Sequence, residues 1–265
     1  MFDLNKELIR KPAVAGSFYP SDPEELKEMV DGFLRDAKSP KIDGELKAII
    51  VPHAGYVYSG PTAGYGFKLL ENTDKNNFIL IGPSHHAAFE GFVQSKATAW
   101  QTPLGLVKTS RYECEDDTVL PMFNDLVNAH APEHCLEVEV PFLQRVCKKE
   151  FAITPILTGE LDPKKVADAL FESADKDAFW IVSSDLSHYL SYDKAVKTDS
   201  ESSSAIQSLN TLWPIDACGN SCVLIIMHIA KKMNWKCKLL DYRNSGDTAG
   251  SKTNVVGYGA YAFYE

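Results

Sequence analysis

The sequence lacks the cysteine patterns of zinc-binding and disulfide-rich domains. Its cysteines are scattered, with no paired CxxC spacing and no compact framework. They stand at positions 114, 135, 147, 218, 222 and 237. The sequence therefore predicts free thiols in a reducing, cytoplasmic setting, most of them on small buried side chains.

Long apolar segments and blocks of one charge are also missing. No run approaches the roughly 20 apolar residues that cross a bilayer, and the first residues do not resemble a signal peptide. The net charge is −9, which gives little support to neutralisation of nucleic-acid phosphates by lysine and arginine. We expect partners other than membranes and nucleic acids.

Motifs of several large enzyme classes are absent as well. The sequence has no GxxxxGK[ST] loop, no GxGxxG after a strand, no HExxH and no GxSxG. These absences argue against nucleotide-driven phosphoryl transfer, Rossmann-type hydride transfer, zincin proteolysis and hydrolase-elbow chemistry.

What is present is a regular alternation of strand and helix patterns. The apolar fraction of 45% and the charged fraction of 24% are ordinary for a protein with a normal core. The pattern predicts one α/β domain over residues 1–265, with a mixed, mostly parallel central sheet and helices on both faces. Predicted strands cover 48–52, 78–82, 151–157, 178–183, 237–242 and 255–264, with two extended pieces in 90–110. A first helix is predicted to begin near residues 21–23. Further helices are predicted over 61–71, 115–129, 136–149, 162–173, 191–209 and 219–233.

Two of the predicted strands end in histidine. His53 follows the strand 48–52, and His85 follows the strand 78–82 in the same structural position. Ligands bind beyond the carboxyl ends of the strands in open α/β sheets, and imidazole is a common metal ligand. We expect the two rings to converge; the alternative is that each histidine caps its strand through backbone hydrogen bonds. His86 is the weaker candidate because it points elsewhere if His85 faces the pocket.

A third strand leads to a carboxylate and an imidazole. Asp185 and His188 follow the strand 178–183, three residues apart. Asp185 is suited to orient a ring or a water, and His188 to act as an acid or base. The alternative is a helix-capping aspartate beside an exposed histidine.

Cys218 directly precedes the predicted helix 219–233. A helix N-terminus favours negative charge and can lower the pKa of a thiol. Cys218 is therefore the best placed cysteine to be a thiolate, whether as ligand or as nucleophile. The alternative is a small packed residue at a helix start.

Further residues are predicted to line the pocket. His134 and Glu137 are spaced to share one face at the start of the helix 136–149, and the alternative is that they only cap it. Tyr56 follows His53 closely and is assigned to the pocket wall. Tyr58, Trp100 and Tyr189 are further candidates for aromatic walls, or else belong to the core.

Taken together, these stretches resemble the MEMO family, which is similar to the class III extradiol dioxygenases with their LigB-like fold. The stretches are AVAGSFYP (13–20), AIIVPHAGYVYSG (48–60), FILIGPSHH (78–86), EHCLEVEVPFL (133–143), ITPILTG (153–159), IVSSDLSHY (181–189) and ACG (217–219). The resemblance implies a metal pocket formed by His53, His85 and Cys218, with Asp185 and His188 beside it. One departure is Asn220-Ser221-Cys222, where a proline-containing turn is more usual, and this change can reorient Cys218.

The resemblance also implies candidate cofactors and functions. The dioxygenases use two histidines and a carboxylate, whereas a cysteine here favours copper or zinc alongside iron. The first hypothesis is redox or oxygenase-type activity on a small substrate, with iron or copper bound and zinc as a third option. The alternatives are a non-catalytic adaptor that holds a peptide or anion, and a thiol-dependent enzyme. AMMECR1-type and radical-SAM proteins are the expected associated proteins.

Overall fold

Helices and strands alternate along most of the chain in the computed structural model, which describes residues 8–38, 40–71, 73–113, 119–124, 126, 128–174 and 177–265. The strands are β1 (Ile9–Arg10), β2 (Leu46–Val51), β3 (Asn77–Pro83), β4 (Phe92–Gln94), β5 (Ala99–Thr102), β6 (Gly105–Thr109), β7 (Phe123–Asn124), β8 (Ala152–Thr158), β9 (Phe179–Ser183), β10 (His188–Leu190), β11 (Lys236–Asn244) and β12 (Val255–Tyr264). The α-helices are α1 (Pro23–Asp36), α2 (Tyr56–Lys68), α3 (Val140–Val146), α4 (Pro163–Ser173), α5 (Tyr192–Gln207) and α6 (Asn220–Lys232).

Four parallel strands form the middle of the sheet. They are neighbours in the order β8-β3-β9-β2, and their carboxyl ends lie at one edge. On one side the order continues through β6 and β5 to β1, with β4 and β7 added beside the end of β8. On the other side β12 runs antiparallel to β2 and also pairs with β10 and β11. The predicted single α/β domain with a mixed, mostly parallel sheet is confirmed, and it is consistent with a LigB-like fold.

Apolar clusters cover both faces of this sheet. Successive residues of β2 alternate between them, with Ala48 and Ile50 in one cluster and Ile49 and Val51 in the other. The first cluster includes side chains from α4, α5 and α6, and the second includes side chains from α1, α2 and α3. A central strand buried on both faces is typical of a parallel sheet covered by helices. No helix among the described residues is long and apolar enough to cross a membrane.

Most predicted elements are present, and the exceptions have local causes. The final strand matches residues 255–264, and Asp22 caps α1 by accepting hydrogen bonds from the backbone of Glu24 and Glu25. Helix α2 begins at Tyr56, so Pro61 lies inside it instead of opening it.

Two helix predictions were wrong in the region before β8. Helix α3 begins only at Val140, because residues Glu137–Glu139 form a 3-10 turn and Pro141 suits only the first turn of an α-helix. The helix predicted over 115–129 falls partly outside the described residues. Its described part holds a 3-10 turn, Leu120–Met122, followed by β7, which pairs with β4.

Candidate metal centre

The ends of three neighbouring strands deliver polar side chains to one edge of the sheet. His53 follows β2, His85 follows β3, and Asp185 follows β9. Because these strands are parallel and adjacent, their carboxyl ends open onto the same site. The structure therefore brings the residues of three separate sequence motifs together.

Two imidazoles and one sulfur face each other at this edge. His53 Nε2 lies 3.2 Å from Cys218 Sγ, and the ring centroids of His53 and His85 are 5.2 Å apart. The candidate ligand atoms of His53, His85 and Cys218 all lie within 4.8 Å of one another. Imidazole and sulfur donors suit iron, copper or zinc better than magnesium or calcium. The donor set therefore fits the metals that the family resemblance implies.

The loop that carries Cys218 is held against the end of β9. The Cys218 amide donates to the carbonyl of Asp185 at 3.3 Å, and the Gly219 amide donates to Ser184 Oγ at 3.0 Å. A Cβ at Gly219 would lie 2.8 Å from the Ser184 side chain, so this approach requires glycine. Cys218 thus faces His53 although the unusual Asn220 opens the next helix.

The expectation that Cys218 is a thiolate was wrong for the metal-free protein. Burial and, to a smaller extent, the nearby Asp185 carboxyl raise the pKa of the Cys218 thiol to about 12. Desolvation therefore outweighs the favourable effect of the following helix N-terminus. Cys218 is a neutral thiol whose Sγ accepts a hydrogen bond from the Asp185 amide at 3.3 Å and lies 3.2 Å from His53 Nε2.

His53 is buried and held at two points. His53 is only 2% exposed, and its Nδ1 lies 2.8 Å from Ser183 Oγ. Its backbone amide donates to Asp185 Oδ1 at 2.8 Å. Burial, reinforced by the neighbouring His85 and His134, lowers the pKa of His53 well below its usual value. A neutral imidazole is the form that binds a metal ion.

Glu133 orients His85, a role that the sequence did not reveal. Its carboxylate accepts from His85 Nδ1 at 2.9 Å and from the His85 amide at 2.6 Å. It also lies 3.2 Å from His134 Nδ1. Burial alone would raise the pKa of Glu133, but the hydrogen bonds from His134 and His85 hold it well below its usual range. The bond to Nδ1 leaves His85 Nε2 available as a ligand atom.

Replacing Glu133 with glutamine is expected to weaken metal affinity by about 10- to 100-fold, the usual cost of losing a hydrogen-bond partner of a ligating histidine. The amide has one acceptor oxygen, so it cannot accept from both His85 groups and the His134 segment. Anaerobic competition titration against a chelator measures the change. Glu150→Gln, at an exposed residue, is the matched control. Equal affinities of the two variants would show that Glu133 does not support the site.

Asp185 and His188 flank the ligand set in different environments. Asp185 is 4% exposed, and burial raises its pKa to about 6 against the opposing hydrogen bond from the His53 amide. His188 is partly exposed on β10, next to Tyr189, whose φ of 58° is unusual for a side-chain-bearing residue. His188 is thus the more accessible of the two groups, and their assigned roles stay predictions.

The remaining pocket predictions separate into two groups. The His134 ring lies 4.8 Å from the His85 ring and 5.5 Å from the His53 ring, between centroids. His86 is exposed, with its ring 6.3 Å from that of His134. His134 therefore lies next to both candidate histidine ligands, and His86 lies beyond His134 at the exposed surface.

Glu137 and Tyr56 lie in the packing behind the ligands. Glu137 accepts from Arg10 at 2.7 Å and from the Tyr19 hydroxyl at 2.6 Å, so it anchors the N-terminal segment. It does not share a helix face with His134, because the 3-10 turn begins at Glu137 itself. The Tyr56 hydroxyl donates to the carbonyl of Val138 at 2.6 Å.

The aromatic-wall candidates divide by exposure. Trp100 is buried at 1% exposure and packs 4.3 Å from the guanidinium of Arg10, as a core residue does. Tyr58 and Tyr189 are 38% and 75% exposed. Only these last two present open ring surface.

Comparison with known proteins gives matches along nearly the whole chain. The family model described as "Memo-like protein" matches residues 10–262. A "MEMO1 family protein" of Aquifex aeolicus is 38% identical over 263 residues, covering 94% of this chain and 97% of the relative. Relatives from Thermoplasma volcanium and Saccharolobus solfataricus are each 34% identical, covering 95% and 96% of this chain and 97% and 99% of their own lengths. The chain belongs to the Memo-like family.

Proposed function

We propose that this protein binds iron or copper through His53, His85 and Cys218 and uses the metal for redox or oxygenase-type chemistry on a small molecule. The observation that carries the proposal is the approach of the three ligand atoms to within 4.8 Å of one another. These atoms come from chain segments far apart in sequence. The hydrogen bonds of Glu133 to His85 and of Ser183 to His53 support the proposal because they aim the two rings.

The choice of metal follows from the sulfur ligand. Thiolate is a soft donor that favours copper and zinc, and imidazole suits iron, copper and zinc alike. Zinc has no redox chemistry, so it would support only a structural or Lewis-acid role. Iron and copper are therefore the cofactors we propose, with zinc as the competitor that the metal analysis must exclude.

The surrounding side chains would handle substrate and protons. A bound redox metal would supply electron transfer and oxygen activation. His188 is partly exposed and has an imidazole, so it is suited to pass a proton between substrate and solvent. Asp185 holds the backbone amide of His53 and so keeps that ligand in place.

A cavity beside Cys218 supports a small substrate. It has a volume of about 470 Å³, within the usual range for small-molecule sites. Its lining includes Cys218, Gly219, Ser84, Glu90 and Glu160. If the protein is instead a non-catalytic adaptor, its peptide ligand would bind at the same edge of the sheet. AMMECR1-type or radical-SAM partners stay predictions from the resemblance.

The proposal is tested by anaerobic titration with Fe(II) and with Cu(I), followed by oxygen-uptake measurements with a panel of small phenols and thiols. We expect one ion per chain in the wild type and in Cys147→Ala, a thiol control outside the site, and strongly reduced binding in His53→Ala. Equal binding by His53→Ala would overturn the metal site. If the wild type binds metal but takes up oxygen no faster than His188→Ala, the proposed catalytic activity would be overturned. That result would favour the non-catalytic adaptor.

A further inference from the structure

A buried chain of hydrogen bonds continues from His53 into the protein. Ser183 Oγ lies 2.8 Å from His53 Nδ1, 2.7 Å from Glu139 Oε1 and 2.8 Å from the carbonyl oxygen of Cys135. Ser183 is 0% exposed and Glu139 is 1% exposed. Bulk solvent therefore has no access to this junction, and the hydrogen bonds of Ser183 are made to protein groups.

The hydrogen count at Ser183 decides which partner donates. A serine hydroxyl has one hydrogen to donate and two lone pairs to accept with. The Cys135 carbonyl can only accept, so the hydroxyl donates to it. Both remaining partners then donate to Ser183, which places a hydrogen on His53 Nδ1 and another on Glu139 Oε1.

The environment of Glu139 fits the protonated carboxylic acid. Burial raises the pKa of Glu139 well above its usual value, and the nearby Asp185 raises it further against the opposing bond to Ser183. Its second oxygen, Oε2, is buried and has no hydrogen-bond partner in the described structure. An ionised carboxylate in this position would leave a buried charge with an unused oxygen, which is costly.

We propose that Glu139 is a positioning residue that donates a hydrogen bond to Ser183 and thereby fixes His53 in the tautomer protonated at Nδ1. The lone pair of His53 Nε2 then points to Cys218 Sγ, 3.2 Å away. Its consequence for metal affinity rests on the proposed function, whereas the tautomer itself is a property of the metal-free protein.

The opposite arrangement makes a different set of demands. If Glu139 were an ionised acceptor, the Ser183 hydroxyl would donate to it, and the Cys135 carbonyl would lose its donor. Glutamine at position 139 would then remove a required charge. In the arrangement we propose, glutamine offers an amide N–H donor of the same shape and preserves the chain.

The test compares Glu139→Gln, Glu139→Met and Ser183→Ala with the wild type. Nitrogen-15 NMR of the histidine rings in metal-free protein reports the His53 tautomer, and infrared difference spectra between wild type and Glu139→Gln report a carboxylic acid or a carboxylate. Anaerobic titration with Cu(I) then gives affinity. Ser183→Ala changes only a small side chain, so it decides the matter if Glu139→Met does not fold.

We expect the Nδ1–H tautomer and a carboxylic-acid band in the wild type, with the same tautomer and unchanged affinity in Glu139→Gln. Glu139→Met and Ser183→Ala should populate the other tautomer and bind Cu(I) about 10- to 100-fold more weakly. A carboxylate band, an Nε2–H tautomer in the wild type, or an unaltered tautomer in Ser183→Ala would overturn the inference. If wild type binds neither Cu(I) nor Fe(II), the proposed function fails, while the NMR and infrared results still judge Glu139.

Discussion

Replacing Cys218 with alanine is expected to weaken iron and copper affinity by at least about 100-fold. Losing only a hydrogen-bond partner of a metal ligand weakens affinity by up to about 100-fold, and losing the ligand itself should cost no less. The variant removes the only sulfur of the proposed ligand set and leaves two imidazoles. Competition titration under anaerobic conditions measures the loss. Cys237→Ala is the matched control because Cys237 lies on β11, opposite Phe263 of β12, and is not among the candidate ligands. Equal affinities of the two variants would contradict the assignment of Cys218.

The pH dependence of metal affinity is a second test of Cys218 as a ligand. A thiol whose pKa is about 12 is protonated at pH 7, whereas the metal binds the thiolate, so each binding event releases one proton. His53 is already neutral and releases none. Wild-type affinity should therefore rise about tenfold per pH unit between roughly pH 7 and 9, and Cys218→Ala should lose this slope. Equal slopes in the two proteins would show that the proton comes from elsewhere.

Replacing Arg10 with methionine is expected to lower the free energy of unfolding by about 3–5 kcal/mol, the usual cost of leaving one member of a buried ion pair alone. Arg10 Nη1 lies 2.7 Å from Glu137 Oε2, and the two side chains are 5% and 1% exposed. Arg10 also donates to the backbone carbonyls of His130 and Glu133. It therefore joins β1 to the segment that carries the pocket residues.

Urea unfolding of the metal-free protein measures this effect. Lys108→Met is the matched control, because Lys108 and Glu150 form an exposed pair with side chains 77% and 92% exposed. Exposed pairs contribute less than about 1 kcal/mol, so this variant should unfold near the wild-type midpoint. Similar losses in both variants would mean that the Arg10 pair has no special weight in the fold.

The convergence of His53, His85 and Cys218 could be predicted because it follows largely from strand order. His53 and His85 follow β2 and β3, which both pair in parallel with β9, so their carboxyl ends meet without any detail of side-chain packing. Cys218 could be placed from the helix start that follows it. The family resemblance implies that these three positions share one pocket.

The residues that support the ligands could not be predicted in the same way. Glu133 lies 48 positions from His85, and Glu139 lies 44 positions from Ser183. Glu133 lies in an irregular segment, and the direction of Glu139 depends on the 3-10 turn at Glu137–Glu139, where the helical pattern predicted a regular α-helix. A tight turn shifts every side-chain direction after it, so a helical spacing argument assigns the wrong faces.

The ionisation of Cys218 shows another limit of sequence reasoning. The following helix is visible in the sequence, and its N-terminus favours a thiolate. The burial of Cys218 comes from segments distant in sequence, with His53 Nε2 lying 3.2 Å from the sulfur, and so depends on tertiary packing. Burial dominates, so the direction of the pKa shift reverses.

X-ray absorption spectroscopy of the protein loaded anaerobically with one equivalent of Cu(I), and separately with Fe(II), tests the central claim most directly. The account predicts one sulfur and two imidazole nitrogens around either metal, with the sulfur signal lost in Cys218→Ala. A coordination shell of nitrogen and oxygen alone in the wild type would contradict it.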